Sequence, residues 1–218
     1  MHQEDIIIAN TVAFVKKKLH GESSGHDWWH IYRVWKMCMY LSMKENANKY
    51  VVQLAALLHD IADWKLNNGD TAFGMKSVHD WLESQKVDSK TIRHISLIIE
   101  NISFKGAGVP NRMRTLEGKI VQDADRLDAM GALGIARAFA YGGFKGREMY
   151  NPDITPVIHN SFEEYQKNQS TTINHFYEKL FLLKEQMHTE TAKLLAAERH
   201  QFMEGFLNQF MSEWHDEK

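Results

Sequence analysis

The chain has 218 residues, of which 44% are hydrophobic and 25% are charged, and its formal net charge is −2. A chain of this length and composition can bury one sizeable core, which excludes a disordered protein. The lone cysteine, Cys38, excludes an internal disulfide and any site built from several cysteines. Scattered Lys and Arg residues argue against a nucleic-acid-binding surface. No run reaches the roughly 18 apolar residues of a membrane span, and without a secretory signal at the start we expect a cytoplasmic protein.

Helical periodicity dominates the chain, which has only three prolines and little strand-like alternation. We therefore predict an all-α fold. Successive helices are predicted at about 6–19, 27–41, 49–63, 72–85, 89–101, 115–128 and 131–140. Asp27 is expected to cap the second of them.

The last third of the chain is predicted as an irregular stretch, 142–160, followed by two long helices. Glycines and prolines make this stretch either a lid or a plain surface connection. The first of the two helices is predicted from apolar residues at helical spacing, namely Ile173, Phe176, Tyr177, Leu180 and Phe181. This stripe is interpreted as core or as a dimer contact, so a homodimer through the C-terminal helices is one expectation.

Imidazole and carboxylate groups are concentrated before residue 130. In the third predicted helix an apolar stripe ends at the polar pair His59 and Asp60. A carboxylate that follows an apolar helix face implies a cation, a hydrogen-bond network or exposure to solvent. One cation shared by several such segments would satisfy many of these groups at once. The ligand types suit manganese, iron, zinc, cobalt, nickel or magnesium without choosing among them.

Three motifs carry a family resemblance: His30 in H-x-x-R-V, the doublet His59-Asp60, and Asp125 in D-A-D-R-L-D. Together they resemble the H…HD…D signature of the HD superfamily, over about residues 25–140. The run VQDADRLDAMGALGIAR is similar to a subgroup of small stand-alone bacterial HD hydrolases. The resemblance implies a single HD domain over 1–218: a helical bundle with its core at about 22–140, and a lid-like loop with additional C-terminal helices at 141–218.

The resemblance also implies that His30, His59, Asp60 and Asp125 are the ligands of a divalent metal ion. The expected substrate is a small anionic phosphate compound, a nucleotide above all, and the expected reaction is attack of metal-bound hydroxide on phosphorus. Either a phosphomonoester or a nucleoside triphosphate would be hydrolysed.

Asp63 follows Asp60 by three residues, which is one helical turn. HD phosphatases often carry an acidic residue at this place, so Asp63 is expected to act with Asp60 in catalysis by orienting or deprotonating the attacking water. The residues expected to contact the phosphate are His94, Lys65, Arg33 and Lys105, with Arg126 as a further cation.

Two other acidic residues flank Asp125 on the same predicted helix. Asp123 is expected to point to another side and to be exposed. Asp128 lies three residues on, on the same helix face as Asp125. It is expected either to support the metal ligands through a hydrogen bond or to form a salt bridge with Arg126 or Arg137.

Two other function classes fit the same motifs. A di-iron HD oxygenase would need further ligands, which only His79, His94 or unrecognised carboxylates provide, so one metal ion is favoured. A non-catalytic nucleotide-sensing module would bind without turnover. Metal content distinguishes one ion from two, and phosphate release distinguishes enzyme from sensor.

Overall fold

The computed structural model describes residues 2–22, 27–62, 70–167 and 170–216. These residues form α-helices and two short 3-10 segments and contain no strand, so the prediction of an all-α fold is confirmed. In chain order the helices are α1 (Gln3–Lys18), α2 (Trp28–Glu45), α3 (Lys49–Leu58), α4 (Thr71–Ser84), α5 (Ser89–Ile102), α6 (Leu116–Asp128), α7 (Gly131–Phe144), α8 (Phe162–Lys167), α9 (Asn174–Glu178) and α10 (Glu190–Trp214). The 3-10 segments are His59–Ala62 and Leu180–Gln186. No helix in the described ranges is long and apolar enough to cross a bilayer.

The chain divides into two compact units, and the division falls inside α6, after Ala124. The first unit comprises Met1–Ser103 with Asn111–Ala124, and the second comprises Phe104–Pro110 with Asp125–Lys218. The expectation of a single domain over 1–218 stays a prediction.

In the first unit, α3 is the central helix. It packs against α1, α2 and α5, and every residue from Leu54 to Leu58 is inaccessible to solvent. Because α3 is apolar on almost all sides, it is stable only when other helices surround it. Asn48 begins the helix by accepting hydrogen bonds from the backbone of Tyr50 and Val51.

A short link joins α2 to α3 and fixes their mutual direction. Asn46 closes α2 in the left-handed conformation, with φ 54°, and Asn48 caps α3 two residues later. Neighbouring helices joined by so short a link run antiparallel. The start of α2 and the end of α3 therefore lie at the same end of the pair.

In the second unit, α10 packs against α7 and against the 3-10 segment Leu180–Gln186. Aromatic side chains fill the contact. Phe139 of α7 lies with its ring centroid 6.0–6.4 Å from those of Phe176, Phe206 and Phe210. Phe176 is fully buried at the centre of this cluster.

The prediction of two long C-terminal helices was wrong, because among the described residues of this region only α10 is long. The apolar stripe belongs instead to the five-residue α9 and the following 3-10 segment, which are separated at Lys179, where φ is −144° and ψ is −58°. Ile173, Phe176 and Leu180 are buried. Tyr177, which belongs to the same predicted stripe, is exposed. Helical spacing therefore identified three buried residues of this segment but neither the exposure of Tyr177 nor the break in the backbone.

Backbone hydrogen bonds tie the irregular segment that follows α7 to α9 and to the residues before it. The backbone N–H of Thr172 donates to Glu148, and that of Ile173 donates to Met149. The Asn174 side chain donates to the carbonyl of Ile154. The segment is therefore anchored at several points, and a role as a lid stays a prediction.

Candidate metal centre

The first turn of α2 carries His30. The carboxylate of Asp27 accepts a hydrogen bond of 2.9 Å from the backbone N–H of His30, so the capping predicted from the sequence is confirmed. This bond fixes the backbone from which the imidazole projects. The His30 side chain is 1% exposed.

The end of α3 carries His59 and Asp60. The α-helix was expected to continue to residue 63, but it ends at Leu58 and a 3-10 segment follows. The carbonyl groups of a last helical turn lack partners within the helix. The Nδ1 atom of His59 lies 2.7 Å from one of them, the carbonyl oxygen of Ala56.

This contact determines which nitrogen of His59 carries the proton. A carbonyl oxygen can only accept, so Nδ1–H is the donor to Ala56. In the neutral ring Nε2 then has the lone pair, which is the form of imidazole that binds a metal ion. Metal-binding histidines commonly donate their other N–H to a backbone carbonyl in this way.

The carboxylate of Asp60 lies between two imidazoles. Its Oδ2 atom is 3.4 Å from Nε2 of His30, and its Oδ1 atom is 3.4 Å from Nε2 of His59. The two rings are nearly perpendicular, with centroids 5.4 Å apart. All three residues are buried, and each offers a ligand atom within 4.8 Å of the others.

This geometry fits a divalent ion. The two separations exceed the 2.7–3.2 Å range typical of N–H···O hydrogen bonds. Two ligand atoms at about 2.1 Å from one ion, held at a tetrahedral angle, lie roughly 3.4 Å apart. The donor set of two imidazoles and one carboxylate suits a borderline divalent ion. A group that can hold a metal ion is therefore present in the first unit.

The helix α6 carries the remaining acidic candidates. Asp125, the expected fourth ligand, is half-buried in the second unit. Asp128 lies 2.8 Å from Arg137, so the expected salt bridge forms with that arginine. Asp123 is fully buried, and the expectation that it is exposed was wrong. Residue spacing alone does not tell that both faces of this helix are covered.

The expected phosphate-binding residues lie in different parts of the fold. Arg33 is half-buried one turn after His30 on α2. His94 is on α5, with its Nε2 atom 3.8 Å from Oε2 of Glu117. Asp63 and Lys65 lie outside the described residues.

Lys105 is half-buried in the loop that follows α5, in the second unit. Its neighbour Gly106 has φ +117°, and a Cβ atom there would lie 3.0 Å from the carbonyl oxygen of His159. The N–H of Gly108 donates to the same carbonyl. Glycine is therefore needed for this loop to pass close to the backbone at residue 159.

Arg126, the further cation expected at the phosphate, is buried on α6, and its guanidinium donates to the carbonyl of Gln186.

Gln122 is a buried polar residue that the sequence analysis did not identify. Its amide donates to the carbonyls of Asn101 and Ile102 at the end of α5, and its oxygen accepts from Asn111. These bonds tie α6 to α5. A glutamine directly after the apolar pair Ile120 and Val121 was the available signal.

A second His-Asp doublet lies on the surface of the first unit. His79, Asp80 and Glu83 of α4 also bring their ligand atoms within 4.8 Å, but all three are exposed. Asp80 forms an ion pair of 2.6 Å with Lys76. The two doublets therefore differ in environment although their sequence is the same.

The sequence matches the family model of the HD domain over residues 28–130. This range includes His30, the doublet His59-Asp60 and Asp125. The chain is similar to YpgQ, an uncharacterised protein of Bacillus subtilis strain 168, with 39% identity over 90% of this chain and 88% of YpgQ.

Solved structures resemble the whole chain. A protein of Lactobacillus plantarum has a TM-score of 0.89 and 38% identity, with coverage of 97% of this chain and 98% of that one. An HD-superfamily hydrolase of Bacillus thuringiensis has a TM-score of 0.75 and 48% identity, with the same coverage. YpgQ in complex with ADP has a TM-score of 0.78 and 35% identity, covering 97% of each chain.

Proposed function

Because this chain belongs to the HD-domain family, we propose that it is a metal-dependent phosphohydrolase that acts on nucleotides or related phosphate compounds. The observation that carries the proposal is the buried cluster of His30, His59 and Asp60. The similarity to an HD-superfamily hydrolase supports the reaction type. The ADP complex of YpgQ supports a nucleotide as the ligand.

In this proposal one divalent ion is held by His30, His59 and Asp60, with Asp125 as the fourth ligand on the strength of the family motif. Manganese, magnesium, cobalt, iron, nickel and zinc all suit such ligands. A bound divalent ion screens the charge of phosphate oxygens and lowers the pKa of water.

The residues of the chain then supply orientation and proton transfer. The hydrogen bond from His59 to Ala56 fixes the ring orientation and the tautomer. The two oxygens of Asp60 face the two imidazoles. Asp63, directly after the 3-10 segment in the sequence, orients the attacking water or accepts its proton.

Cationic residues stabilise the charge that develops on the phosphate being attacked. We assign this role to Arg33, Lys65 and Lys105, with His94 as a hydrogen-bond donor to the phosphate. Arg33 is supported by its place one turn after His30 on α2. The product of the reaction distinguishes the two bonds that this site can cut, a phosphomonoester or the anhydride of a nucleoside triphosphate.

The test is release of phosphate and pyrophosphate from nucleoside mono-, di- and triphosphates with manganese, magnesium, cobalt or no added metal. The native chain is compared with Asp60→Ala and with Asp80→Ala. Asp80 is the matched control, because it belongs to the exposed doublet on α4 and its surface ion pair contributes little to stability. We expect metal-dependent release that Asp60→Ala abolishes and Asp80→Ala retains.

Three results would overturn the proposal. Release that survives Asp60→Ala would remove the cluster from the reaction. Stoichiometric metal binding and nucleotide binding without any release would identify a nucleotide sensor. Two irons per chain would instead favour an HD oxygenase, so metal content is measured on the same preparation.

A further inference from the structure

The end of α6 is held by guanidinium groups from elsewhere in the second unit. Arg199 of α10 donates a hydrogen bond to the backbone carbonyl of Leu127. Arg137 of α7 donates to the carbonyl of Asp128 at 3.3 Å and to its carboxylate at 2.8 Å. The last carbonyls of a helix have no partners within the helix and carry partial negative charge, so cationic donors are favourable here.

The side chain of Arg199 crosses the junction between α6 and α7. Gly131, at this junction, has φ +69°, and a Cβ atom there would lie 3.1 Å from Cγ of Arg199 and 3.3 Å from its Cβ. The junction therefore has a left-handed backbone and no side chain at the point where the stem of Arg199 passes.

Arg199 is partly buried, so its guanidinium loses part of its hydration. Burial lowers the pKa of its guanidinium, while the carboxylates of Asp128 and Glu198 raise it. Arginine nevertheless stays protonated in proteins. A partly buried cation is costly unless several groups stabilise it, and here the Leu127 carbonyl and the Asp128 carboxylate do so.

We propose that Arg199 is a positioning residue for the metal centre: by binding the carbonyl of Leu127 it fixes the last turn of α6, and with it the carboxylate of Asp125 two residues earlier. This inference rests on the proposed function, in which Asp125 is a ligand. A metal site tolerates displacements of only about 0.2 Å in its ligand distances. A helix end that frays or rotates would exceed that tolerance.

The test is a double-mutant cycle read by manganese affinity rather than by activity. Affinity is measured by electron paramagnetic resonance of free Mn²⁺ up to millimolar metal, so that weak binding remains measurable. The chains compared are native, Arg199→Ala, Asp125→Asn and the double variant. Thermal unfolding of each chain without metal measures stability separately.

We expect Arg199→Ala to weaken manganese binding by about 10–100-fold, as is typical when a residue that orients a ligand is lost. In the Asp125→Asn background the same change should cost no further affinity, because Arg199 acts through Asp125. Arg199→Lys, which retains a cationic donor, should recover part of the loss and also serves if Arg199→Ala does not fold.

Met203→Ala is the control for destabilisation alone. Met203 is fully buried one turn further along α10. This variant should lower the unfolding temperature and leave manganese affinity within about twofold.

Three outcomes would overturn the inference. If Arg199→Ala lowers the unfolding temperature but leaves the affinity unchanged, Arg199 has only a structural role. The same conclusion follows if its effect on affinity is equal in both backgrounds. If Asp125→Asn itself leaves the affinity unchanged, the ligand assignment of the proposed function fails, and the positioning role fails with it.

Discussion

The Nδ1 atom of His59 lies 2.7 Å from the carbonyl oxygen of Ala56, three residues earlier in the chain. One hydrogen bond thus has two effects. It satisfies a carbonyl at the end of α3, and it presents Nε2 of the ring toward Asp60, 3.4 Å away. His59 therefore both ends α3 and belongs to the candidate metal centre.

We expect His59→Ala to weaken manganese binding by more than the roughly 10–100-fold that loss of a ligand-orienting residue costs. The control is His79→Ala, which removes the histidine of the exposed doublet on α4. Isothermal titration with Mn²⁺ measures both. Equal affinity in the two variants would contradict the assignment of His59 as a ligand.

Adjacent glycines in α7 should respond oppositely to alanine. A Cβ atom at Gly142 would lie 2.2 Å from Oγ1 of Thr172, whereas nothing lies within 4 Å of one at Gly143. Gly142→Ala should therefore destabilise the chain by about 1–3 kcal/mol through overpacking. Gly143→Ala should stabilise it by about 0.5–1 kcal/mol, because alanine restricts the unfolded chain and favours the helix.

Thermal or urea unfolding measures the two glycine variants. Thr172→Ala removes the clashing oxygen, so the cost of Gly142→Ala should largely disappear in that background. A destabilisation that persists there would show that the contact with Thr172 is not its cause.

Two neighbouring positions of α5 separate core packing from surface composition. Ile95 is fully buried, while the side chain of Leu97 is 58% exposed. Ile95→Ala should cost about 2–5 kcal/mol, and Leu97→Ala should stay within about 0.5 kcal/mol. Urea unfolding at one pH tests both. Similar costs at the two positions would mean that Ile95 does not lie on the buried face of α5.

Asp88 caps α5 and gives the stability a defined pH dependence. Hydrogen bonds from Thr91 hold the pKa of the Asp88 carboxyl below its usual value. The bond from the Thr91 side chain has the largest effect, and the bond from its backbone N–H has the next largest. A carboxyl whose pKa is lower in the folded state contributes stability above the unfolded pKa, about 3.9, and loses it as the pH falls through the folded pKa.

The stability difference between the native chain and Asp88→Asn should therefore be constant near neutral pH and shrink in acid. Unfolding at several values from about pH 6 to about pH 3 measures it. Asp153→Asn, at an exposed position in the second unit, is the control. A difference that grows toward low pH would have the wrong sign for a cap stabilised by its charge.

The C-terminal helix offers a surface for the homodimer expected from the sequence. Leu194 and Phe202 of α10 lie about two turns apart and are 71% and 56% exposed. We expect light scattering to give the mass of a dimer at micromolar concentration and Leu194→Glu/Phe202→Glu to give a monomer. A native monomer under these conditions would remove the expectation.

The sequence predicted the helices well wherever a capping residue and a buried stripe coincide. Asp27 begins α2 and Asp88 begins α5 by accepting backbone hydrogen bonds. Such signals are local and act over one turn. The failure near Lys179 has the opposite cause, because there the apolar spacing continues while the backbone changes conformation. Tertiary packing determines that break.

The candidate site was predictable to a similar degree. The doublet His59-Asp60 could be found from its place at the end of an apolar helix, and His30 from its family motif. The burial of Asp123 and the links made by Gln122 and Arg199 could not, because they depend on which helices cover α6. Residues far apart in the chain, 127 and 199 among them, meet only in the folded state.

The short link at Asn46–Asn48 and the length of α3 together determine which mutations the metal centre can tolerate. His59 reaches His30 because α3 has a fixed number of residues between its cap at Asn48 and its end at Leu58. Deleting one residue within α3 would turn the following chain by about 100° and shift it by about 1.5 Å. Apolar substitutions in α3 preserve this alignment, whereas a single insertion or deletion would point His59 away from His30. The length of α3 should therefore vary less than its composition among chains that retain this centre.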